Sequence, residues 1–167
     1  NLVLSSTAYR TRMKDRIKIN SSWSAYENKI LDTTQEGLEN EFIFNDKNQR
    51  ISLLTHFAKS RTDINGPNSR RPDLSYGVNY KSKIKNSKLG KFNLNLNYRH
   101  IGRHLDWTGS KNEFVKSVNL LNMSLDKNLF GYNFSINVSN LLNERYEKPA
   151  TYSQDGRQFN IGIGKLF

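Results

Sequence analysis

The segment Lys91–Tyr98 reads Lys-Phe-Asn-Leu-Asn-Leu-Asn-Tyr, in which polar and apolar residues alternate without a break. Side chains of a β-strand point alternately to opposite faces. The four apolar residues therefore share one face of a strand, and the three asparagines share the other. Such strict alternation predicts a strand that is apolar on one side only.

Seven other segments extend this prediction to the whole chain. Three alternate nearly as strictly: Leu74–Ile84, Gly131–Ser139 and Arg157–Phe167. Four are weaker, and in two of these Leu54, Val118 and Leu120 break the phase: Val3–Met13, Leu38–Phe44, Ile51–Ser60 and Val115–Leu125. We therefore expect an all-β chain of about eight antiparallel strands within one unit, residues 1–167.

The connections between these segments alternate in length. Three are short and rich in Asn, Asp, Lys and Gly: Asp46–Gln49, Lys85–Gly90 and Asp126–Gly131. Four are long: Lys18–Glu36, Thr62–Arg71, Ile101–Asn112 and Asn143–Gly156. Short turns at one end and long loops at the other are typical of an outer-membrane β-barrel, with the turns in the periplasm and the loops outside the cell. The sequence thus favours an antiparallel transmembrane β-barrel segment.

A membrane setting gives each face of the strands a role. All backbone polar groups must be paired inside a membrane, so spanning strands must belong to a closed barrel. The apolar parity would then face lipid, and the polar parity would line a wet interior, where Lys81, Lys83 and Arg99 could pair with carboxylates such as Glu39 and Glu41. Five aromatic residues lie near the ends of segments: Tyr9, Tyr98, Tyr132, Phe159 and Phe167. They would form girdles at the two membrane interfaces, or they are present only because aromatic residues are favourable in strands.

The composition is compatible with this fold and limits other functions. The net charge is +11, and the chain contains no cysteine, which excludes disulfides, thiol nucleophiles and cysteine zinc sites. The mean hydropathy of -0.76 would result from averaging polar loops and a polar interior with a lipid-facing stripe. Cations and aromatic residues lie on opposite faces, whereas single-stranded nucleic acid needs them together in one groove. We expect no nucleic-acid partner.

No constellation of residues predicts catalysis or a cofactor. The histidines His100 and His104 lie near Asp106, but residues four apart in a strand are about 13 Å from each other. We therefore expect these three to be solvated rim residues and not a metal site. Neither a nucleotide-binding loop nor a nucleophile elbow is present. The chain is not expected to be an enzyme.

The last thirty residues carry the most specific pattern. They contain Asn140-Leu141-Leu142-Asn143-Glu144-Arg145-Tyr146, then Gly156-Arg157-Gln158-Phe159, and a final segment from Gly162 to Phe167. This pattern resembles the C-terminal signature of TonB-dependent outer-membrane receptors. Gly37-Leu38-Glu39 and Arg71-Pro72 resemble strand entries of the same family, and the spacing along the chain is similar to the C-terminal part of its cobalamin receptors.

The resemblance implies a fold, a location and a set of partners. The family has a barrel of about 22 strands in the outer membrane of Gram-negative bacteria, filled by an N-terminal plug that contacts TonB. The sequence opens at Asn1 with neither an initiator Met nor the charged and apolar regions of a signal peptide, and no part of it resembles the plug, so we expect a C-terminal fragment of such a barrel. In this interpretation Asn140 to Tyr146 closes a strand and bends into an outer loop, Gly156 permits the return turn, and Arg157 is anchored at the rim. The barrel-assembly machinery would recognise the last strand, including Phe159, Gly162 and Phe167.

The implied function is TonB-dependent uptake of a scarce small molecule, either cobalamin or another corrinoid, or an iron chelate. Candidates for ligand contact in the loops are Arg61, Arg103, Trp107 and Tyr152. Lipopolysaccharide phosphates would be counterions for basic residues at the outer ends: Arg61, Arg70, Arg71, Arg103 and Lys111.

Two alternatives remain open from the sequence. One is an independent small outer-membrane barrel with a structural or adhesive role, since eight strands leave just enough interior for side chains. The other is a soluble β-sandwich that binds anionic polymers.

Overall fold

The computed structural model describes residues 1–20, 22, 24–29, 32–62, 66–67, 70–86, 90–108 and 110–165. Phe167, the expected terminal aromatic residue of the family pattern, lies outside this part of the chain. Within the described ranges, no helix is long and apolar enough to cross a membrane.

The described residues form thirteen β-strands. Their bounds are β1 (Leu2–Met13), β2 (Arg16–Ile19), β3 (Tyr26–Lys29), β4 (Thr33–Asn45), β5 (Gln49–Thr62), β6 (Gly66–Pro67), β7 (Leu74–Asn86), β8 (Gly90–Ile101), β9 (His104–Trp107), β10 (Asn112–Val115), β11 (Val118–Leu129), β12 (Tyr132–Ser139) and β13 (Gln158–Lys165).

Eight long strands form one antiparallel sheet in the order β1-β4-β5-β7-β8-β11-β12-β13, and β6 extends the edge of β5. The expected number of main strands is therefore confirmed. The pairs β2–β3 and β9–β10 are separate hairpins inside the long connections. They account for one wrong boundary, because Val115 belongs to β10 and β11 begins at Val118.

The two ends of the sheet differ, as the sequence predicted. One end, called here the turn end, carries short connections such as Phe130–Gly131 between β11 and β12. Both of these residues have positive φ, at 52° and 79°, the backbone state that tight hairpins favour. The opposite end, called the loop end, carries the four long connections with their small hairpins.

The two faces of the sheet differ in polarity. Directly paired residues share a face, and the pairs Asn79–Asn97 and Asn97–Asn122 place the asparagine parity of β7, β8 and β11 together. A cavity of about 560 Å³ lies on this face, so we call it the inward, concave face. The outward face carries the leucine, isoleucine and phenylalanine parity.

The apolar residues do not form an internal core. Among the described residues, the buried hydrophobic side chains are Val118, Val138 and Ala150. The outward apolar side chains are instead open, for example Leu53 at 37% and Ile136 at 43% exposure. A water-soluble sandwich would bury such residues between its sheets, so the structure contradicts that alternative and fits a wall whose apolar face meets lipid.

The residues that broke the alternation face inward. Leu54 lines the large cavity beside Glu41 and Gly77, and Leu120 is paired with Arg99. Tyr9 also points inward, because its ring stacks on His56 with 6.2 Å between ring centroids. Tyr9 therefore does not belong to a lipid-facing aromatic girdle, and that expectation was wrong for this residue.

The sheet is open in the described part of the chain. There, β1 pairs only with β4 and β13 only with β12. Both edge strands expose large apolar side chains, with Leu4 at 75% and Ile161 at 79% exposure. The eight strands thus form a wall with two edges, which would attract further strands.

Candidate functional site

Three long connections meet at the carboxylate of Asp106, in the hairpin between β8 and β11. Its Oδ1 atom accepts hydrogen bonds from Arg70 Nε at 2.7 Å and from the backbone N–H of Trp107 at 2.8 Å. Its Oδ2 atom accepts a hydrogen bond from the N–H of Ala150 at 2.9 Å. Arg70 belongs to the β5–β7 connection and Ala150 to the β12–β13 connection, so one side chain joins three loops.

The carboxylate of this loop junction is shielded from solvent. Asp106 is 1% exposed and Ala150 is 5% exposed. The backbone N–H of Arg70 also donates to the carbonyl oxygen of Leu105 at 2.6 Å. This is a second hydrogen bond between the β5–β7 and β8–β11 connections. The expectation that Asp106 is a solvated rim residue was wrong, because its charge is buried and paired.

The surroundings of Asp106 keep it ionised. Burial alone would raise the pKa of this carboxyl. The hydrogen bonds from Ala150, Arg70 and Trp107, together with the positive charge of Arg70, outweigh that effect and hold the pKa below its ordinary value of 3.8. The junction is therefore a charged contact at neutral pH.

A cavity of about 350 Å³ opens beside the junction, and we call it the loop cavity. It has an apolar base formed by Ile101, Val115 and Val118, and Tyr146 lies on its wall. Its lining residues with basic side chains are Arg70, Arg99, His104, Lys116 and Lys148. A cavity that combines apolar area with several cations suits a ligand that is partly apolar and negatively charged.

The acidic residues of the loop cavity are already engaged. Asp106 pairs with Arg70 at 2.7 Å. Glu147 Oε2 accepts the backbone N–H of Thr151 at 2.7 Å. Among the described residues, Arg99, Lys116 and Lys148 have no ion-pair partner, so the loop cavity has an excess of positive charge.

The four candidate ligand contacts predicted from the sequence do not meet in one place. Arg61 lies near the loop end of β5, on the outward parity, opposite Thr34. Arg103 directly precedes β9, and Trp107 is the last residue of that strand. The Arg103 guanidinium lies 4.6 Å from the centroid of the Phe114 ring. Tyr152 is 66% exposed in the last loop. None of the four lines the loop cavity.

The sequence indicated several residues that line this cavity, among them Arg70, Arg99 and Tyr146, but for other roles. Tyr146 was noticed only as part of the terminal pattern, and Arg99 only as an inward cation. Lys116 and Lys148 carry no local signal, since a lysine in a polar loop is most often solvated. The cavity depends on contacts between loops more than forty residues apart, such as Ala150 with Asp106.

Five basic residues were expected to meet lipopolysaccharide, and two of them form ion pairs within the protein. Arg70 is held by Asp106, and Lys111 Nζ lies 2.5 Å from Glu113 Oε1. Arg103 rests on Phe114. Arg61 and Arg71 are exposed and remain candidates for that contact.

The terminal pattern forms a second set of loop contacts, organised by Asn140. This residue is 6% exposed, with a positive φ of 49°. Its Oδ1 atom accepts the N–H of Glu144 at 3.0 Å, and its Nδ2 atom donates to the carbonyl oxygens of Glu144 and Asp155 at 2.9 and 3.2 Å. Its own N–H donates to Asn122 Oδ1 at 2.9 Å. Asn140 thus ends β12 and holds the two stems of the last loop together.

The neighbouring pattern residues close the same stem. Asn143 Oδ1 accepts the N–H of Arg157 at 3.0 Å. A Cβ atom on Gly156 would lie 2.8 Å from that Asn143 oxygen. Gly156 is therefore explained by this close approach and not by a turn that needs positive φ.

The remaining pattern residues occupy the strands and their ends. Leu141 donates its N–H to the carbonyl oxygen of Leu121 at 2.7 Å. Phe159 is paired with Val138 and is 65% exposed on the outward face. Gly162 is paired with Ser135, and a Cβ atom there would lie 2.5 Å from Ser135 Oγ.

The histidines are not arranged as a metal site. His100 Nδ1 lies 2.8 Å from Asn119 Oδ1, and His104 Nδ1 lies 3.2 Å from the carbonyl oxygen of Gly102. In the described ranges, no group of three or more His, Cys, Asp or Glu side chains could hold a metal ion.

His56 belongs to a polar cluster on the inward face. Its Nε2 atom lies 2.9 Å from Tyr9 Oη and 3.6 Å from Glu39 Oε1. Gln35 Nε2 donates to the same Tyr9 oxygen at 3.3 Å. These contacts join β1, β4 and β5 across the wall and contribute to the lining of the 560 Å³ cavity.

No family model and no curated protein sequence matches this chain. Solved structures do match it. The ferric-catecholate import receptor Fiu from E. coli K12, in its closed form, has a TM-score of 0.77 and 14% identity, with 99% of this chain aligned to 25% of that one. The fold is that of a TonB-dependent receptor barrel.

Two more receptors show the same relationship. The outer-membrane ferripyoverdine receptor of Pseudomonas aeruginosa, bound to ferripyoverdine, has a TM-score of 0.77 and 15% identity over 95% of this chain and 24% of its own. The ferric yersiniabactin uptake receptor FyuA from Yersinia pestis has a TM-score of 0.77 and 18% identity over 97% of this chain and 27% of its own. The chain thus spans about a quarter of the length of the structures it matches. The prediction of a segment of a TonB-dependent receptor barrel is confirmed at the level of the fold.

Proposed function

We propose that this chain is the C-terminal barrel wall of a TonB-dependent receptor that takes up a ferric siderophore across the outer membrane of a Gram-negative bacterium. The main support for the proposal is the loop cavity. It has an excess of positive charge and lies at the loop end of a sheet with this receptor fold. The wall would supply the passage, and the three joined loops would supply part of the ligand site.

The distribution of apolar side chains supports the location. The outward face carries most of the large apolar side chains of the long strands, and the described residues bury almost no hydrophobic core. Such a face is stable against lipid and costly in water. By analogy with the fold, the loop end would face the outside of the cell and the turn end the periplasm.

The open edges support a larger barrel over an independent small one. The edge strands β1 and β13 do not pair with each other in the described part of the chain. Closure by further strands would cover Leu4 and Ile161 and would pair the free backbone groups of both edges. The parent protein would then have the complete barrel and a plug that contacts TonB, as the sequence resemblance implies.

The chemistry of the loop cavity favours a ferric siderophore over cobalamin. Iron chelates built on catecholate or carboxylate oxygens commonly carry net negative charge, which Arg99, Lys116 and Lys148 could meet. Cyanocobalamin is neutral overall and would gain less from this cluster. The solved receptors named above are receptors for ferric catecholate, ferripyoverdine and ferric yersiniabactin.

Other partners follow from the proposed location. Lipid would contact the outward face, and lipopolysaccharide phosphates would meet exposed loop cations such as Arg61 and Arg71. The barrel-assembly machinery would recognise β13. These contacts concern assembly and placement, and the uptake activity would depend on the loops and the plug.

Uptake by intact cells tests the proposed function. The full receptor gene would be expressed in a strain that lacks its own siderophore receptors, with TonB present or deleted. The probes are ferripyoverdine, ferric yersiniabactin, an iron tris-catecholate and cyanocobalamin, each radiolabelled at the metal. The proposal expects TonB-dependent accumulation of at least one iron probe. Accumulation of cyanocobalamin alone, or none of any probe by a correctly assembled receptor, would overturn it.

A further inference from the structure

A polar row interrupts the apolar outward face on the first three strands of the sheet. Ser6 on β1 is directly paired with Asn40 on β4, and Asn40 is directly paired with Thr55 on β5. Ser6 Oγ donates a hydrogen bond to Asn40 Oδ1 at 2.7 Å, and Asn40 Nδ2 donates to Thr55 Oγ1 at 3.1 Å. The residues two positions away on β4, Leu38 and Phe42, are exposed members of the outward parity, so the row faces outward with them.

The row is enclosed by apolar residues of the same face. The outward residues directly before and after it on the three strands are Leu4, Ala8, Leu38, Phe42, Leu53 and Phe57. All six are exposed, and none of the nine residues is charged. We call this group of three polar and six apolar residues the Asn40 patch.

The patch lies near the middle of its strands, so it would face the hydrocarbon centre of a membrane. Asn40 and Thr55 are each five or more residues from both ends of their strands. The same paired row continues on the next three strands as Tyr76, His100 and Asn119. Those three lie within two residues of the loop end of their strands, where polar side chains meet the membrane interface. The Asn40 patch has no such explanation.

A polar side chain in hydrocarbon is costly unless its hydrogen-bonding groups are paired. A side-chain amide has two N–H groups and two oxygen lone pairs. The bonds to Ser6 and Thr55 use one N–H and one lone pair of Asn40. One donor and one acceptor therefore remain for a partner outside the wall. The fold itself does not need a polar residue at this depth, because Ile136 occupies the outward face in the middle of β12.

We propose that the Asn40 patch is the contact between two copies of the receptor that lie side by side in the outer membrane. A two-fold axis along the membrane normal brings the same patch of both copies together. The amide is self-complementary, since the remaining N–H of each Asn40 can donate to the remaining lone pair of the other. The surrounding apolar residues then meet apolar residues, and no charge is buried. A second copy thus matches both the amide and its surroundings.

The size of the patch indicates a reversible dimer. Three strands about 4.8 Å apart and three rows of side chains about 6.8 Å apart cover roughly 300 Å² on each copy. A stable interface between soluble proteins buries about 800 Å² on each partner. We therefore expect the contact within the membrane, where both copies keep the same orientation. The proposal rests on the outer-membrane location but not on the identity of the transported ligand.

Photo-crosslinking in the native outer membrane tests the proposal. Two forms of the full receptor with different affinity tags are expressed together, and both carry a photoreactive amino acid in place of Leu38. Irradiation should give a covalent species of twice the receptor mass that carries both tags. Ile136 is the matched control position, because it faces outward on β12 and is 43% exposed, against 40% for Leu38. The photoreactive residue there should attach to lipid and give little of the doubly tagged species.

A substitution then tests the role of the amide. With the photoreactive residue kept at position 38, Asn40→Leu should lower the yield of the doubly tagged species about fivefold, as expected for the loss of polar contacts between membrane-embedded partners. The double variant S6A/T55V keeps Asn40 and should retain the yield. If the Asn40→Leu barrel does not assemble, Asn40→Ser replaces it, because serine is polar but too short to reach the other copy.

Four outcomes would overturn the proposal. These are equal yields from positions 38 and 136, a crosslink to a different protein, the absence of any doubly tagged species, and a yield that the substitution of Asn40 leaves unchanged. The contact lies outside the passage through the barrel. A receptor that takes up an iron probe and gives any of these outcomes would refute the dimer and leave the proposed function intact.

Discussion

Arg70 Nε donates a hydrogen bond of 2.7 Å to Asp106 Oδ1 although 36 residues separate the two in sequence. The guanidinium is 62% exposed, whereas the carboxylate is 1% exposed. The carboxylate is therefore the buried member of the pair, and it also holds the Ala150 N–H. A change at Asp106 should disturb three loops, whereas a change at Arg70 should disturb two.

The first prediction concerns this junction. Asp106→Ala leaves two backbone N–H groups and a guanidinium without their acceptor, and it should lower the free energy of opening the loops by about 1–3 kcal/mol. Limited proteolysis of the assembled receptor should show faster cleavage in the last loop, with an unchanged barrel core. Glu113→Ala, which removes an exposed partner of Lys111, is the control and should leave cleavage unchanged. Equal cleavage of the two variants would contradict the role of Asp106.

The second prediction concerns pH. The pKa of Asp106 is lower in the folded protein than its ordinary value of 3.8, so the charged form favours the closed junction. This stabilisation should be fully present above the ordinary pKa and should be lost as the pH falls through the lower, folded pKa. Hydrogen exchange of the Ala150 amide, corrected for its intrinsic rate, should report the loss in acid. In Asp106→Asn the protection should be weaker throughout and should lack this acid transition.

The third prediction concerns the last loop. Asn140→Ala removes three side-chain hydrogen bonds and replaces a residue that tolerates positive φ. The loop stem should lose about 2 kcal/mol of stability, measured as faster amide exchange at Glu144. Asn128→Ala, at an exposed position near the turn end, should show no such effect. A stem equally protected in both variants would refute the role assigned to Asn140.

The fourth prediction compares two inward glycines. A Cβ atom on Gly37 would lie 2.5 Å from the Phe57 carbonyl oxygen and 2.7 Å from Tyr9 Oη, whereas on Gly77 it would meet nothing closer than 3.4 Å. Gly37→Ala should therefore destabilise the assembled barrel by about 1–3 kcal/mol, and Gly77→Ala should have little effect. Urea unfolding in detergent, followed by heat-modifiable gel mobility, measures the difference. Similar midpoints for the two variants would contradict the packing of Tyr9 over Gly37.

The fifth prediction concerns the proposed ligand site. Combined replacement of Arg99, Lys116 and Lys148 by Gln should weaken binding of an anionic ferric siderophore about tenfold or more, because charged contacts in a partly enclosed site contribute strongly. The sequence candidates Arg61, Arg103, Trp107 and Tyr152 lie outside the loop cavity, and their replacement by Ala should have smaller effects. Equilibrium binding to the purified full receptor measures both sets. A larger loss of affinity from the second set would contradict the loop cavity as the binding site and would place the site at the loop tips.

Local patterns were enough to predict the eight long strands. In Lys91–Tyr98 each side chain lies on either the inward or the outward face of the sheet. The alternation of polar and apolar residues with a period of two shows on which face each side chain lies. The pattern became unreliable near Val115, because a hairpin of two four-residue strands carries too few residues to reveal a period. Leu54 and Leu120 looked like errors in phase, but an interior that also contains aliphatic residues does not require a polar residue at every inward position.

The loop junction could not be predicted in the same way. Asp106 lies in the four-residue strand β9, and only its distant contacts to Arg70 and Ala150 make it a buried charge. The terminal pattern was visible as a set of residues, but the reason for Gly156 became clear only from its closeness to Asn143. Contacts between loops depend on how the whole wall is built, whereas alternation depends on neighbours in sequence.

We propose that these strands span an outer membrane with the long loops outside. The chain has no cysteine, so single cysteines placed in it can be labelled selectively, once any cysteine elsewhere in the receptor is replaced. In intact cells, a bulky PEG-maleimide should label Tyr152→Cys in the last loop and should leave Lys47→Cys in a short turn unlabelled until the outer membrane is permeabilised. Labelling of Lys47→Cys in intact cells, or protection of Tyr152→Cys, would contradict the claim.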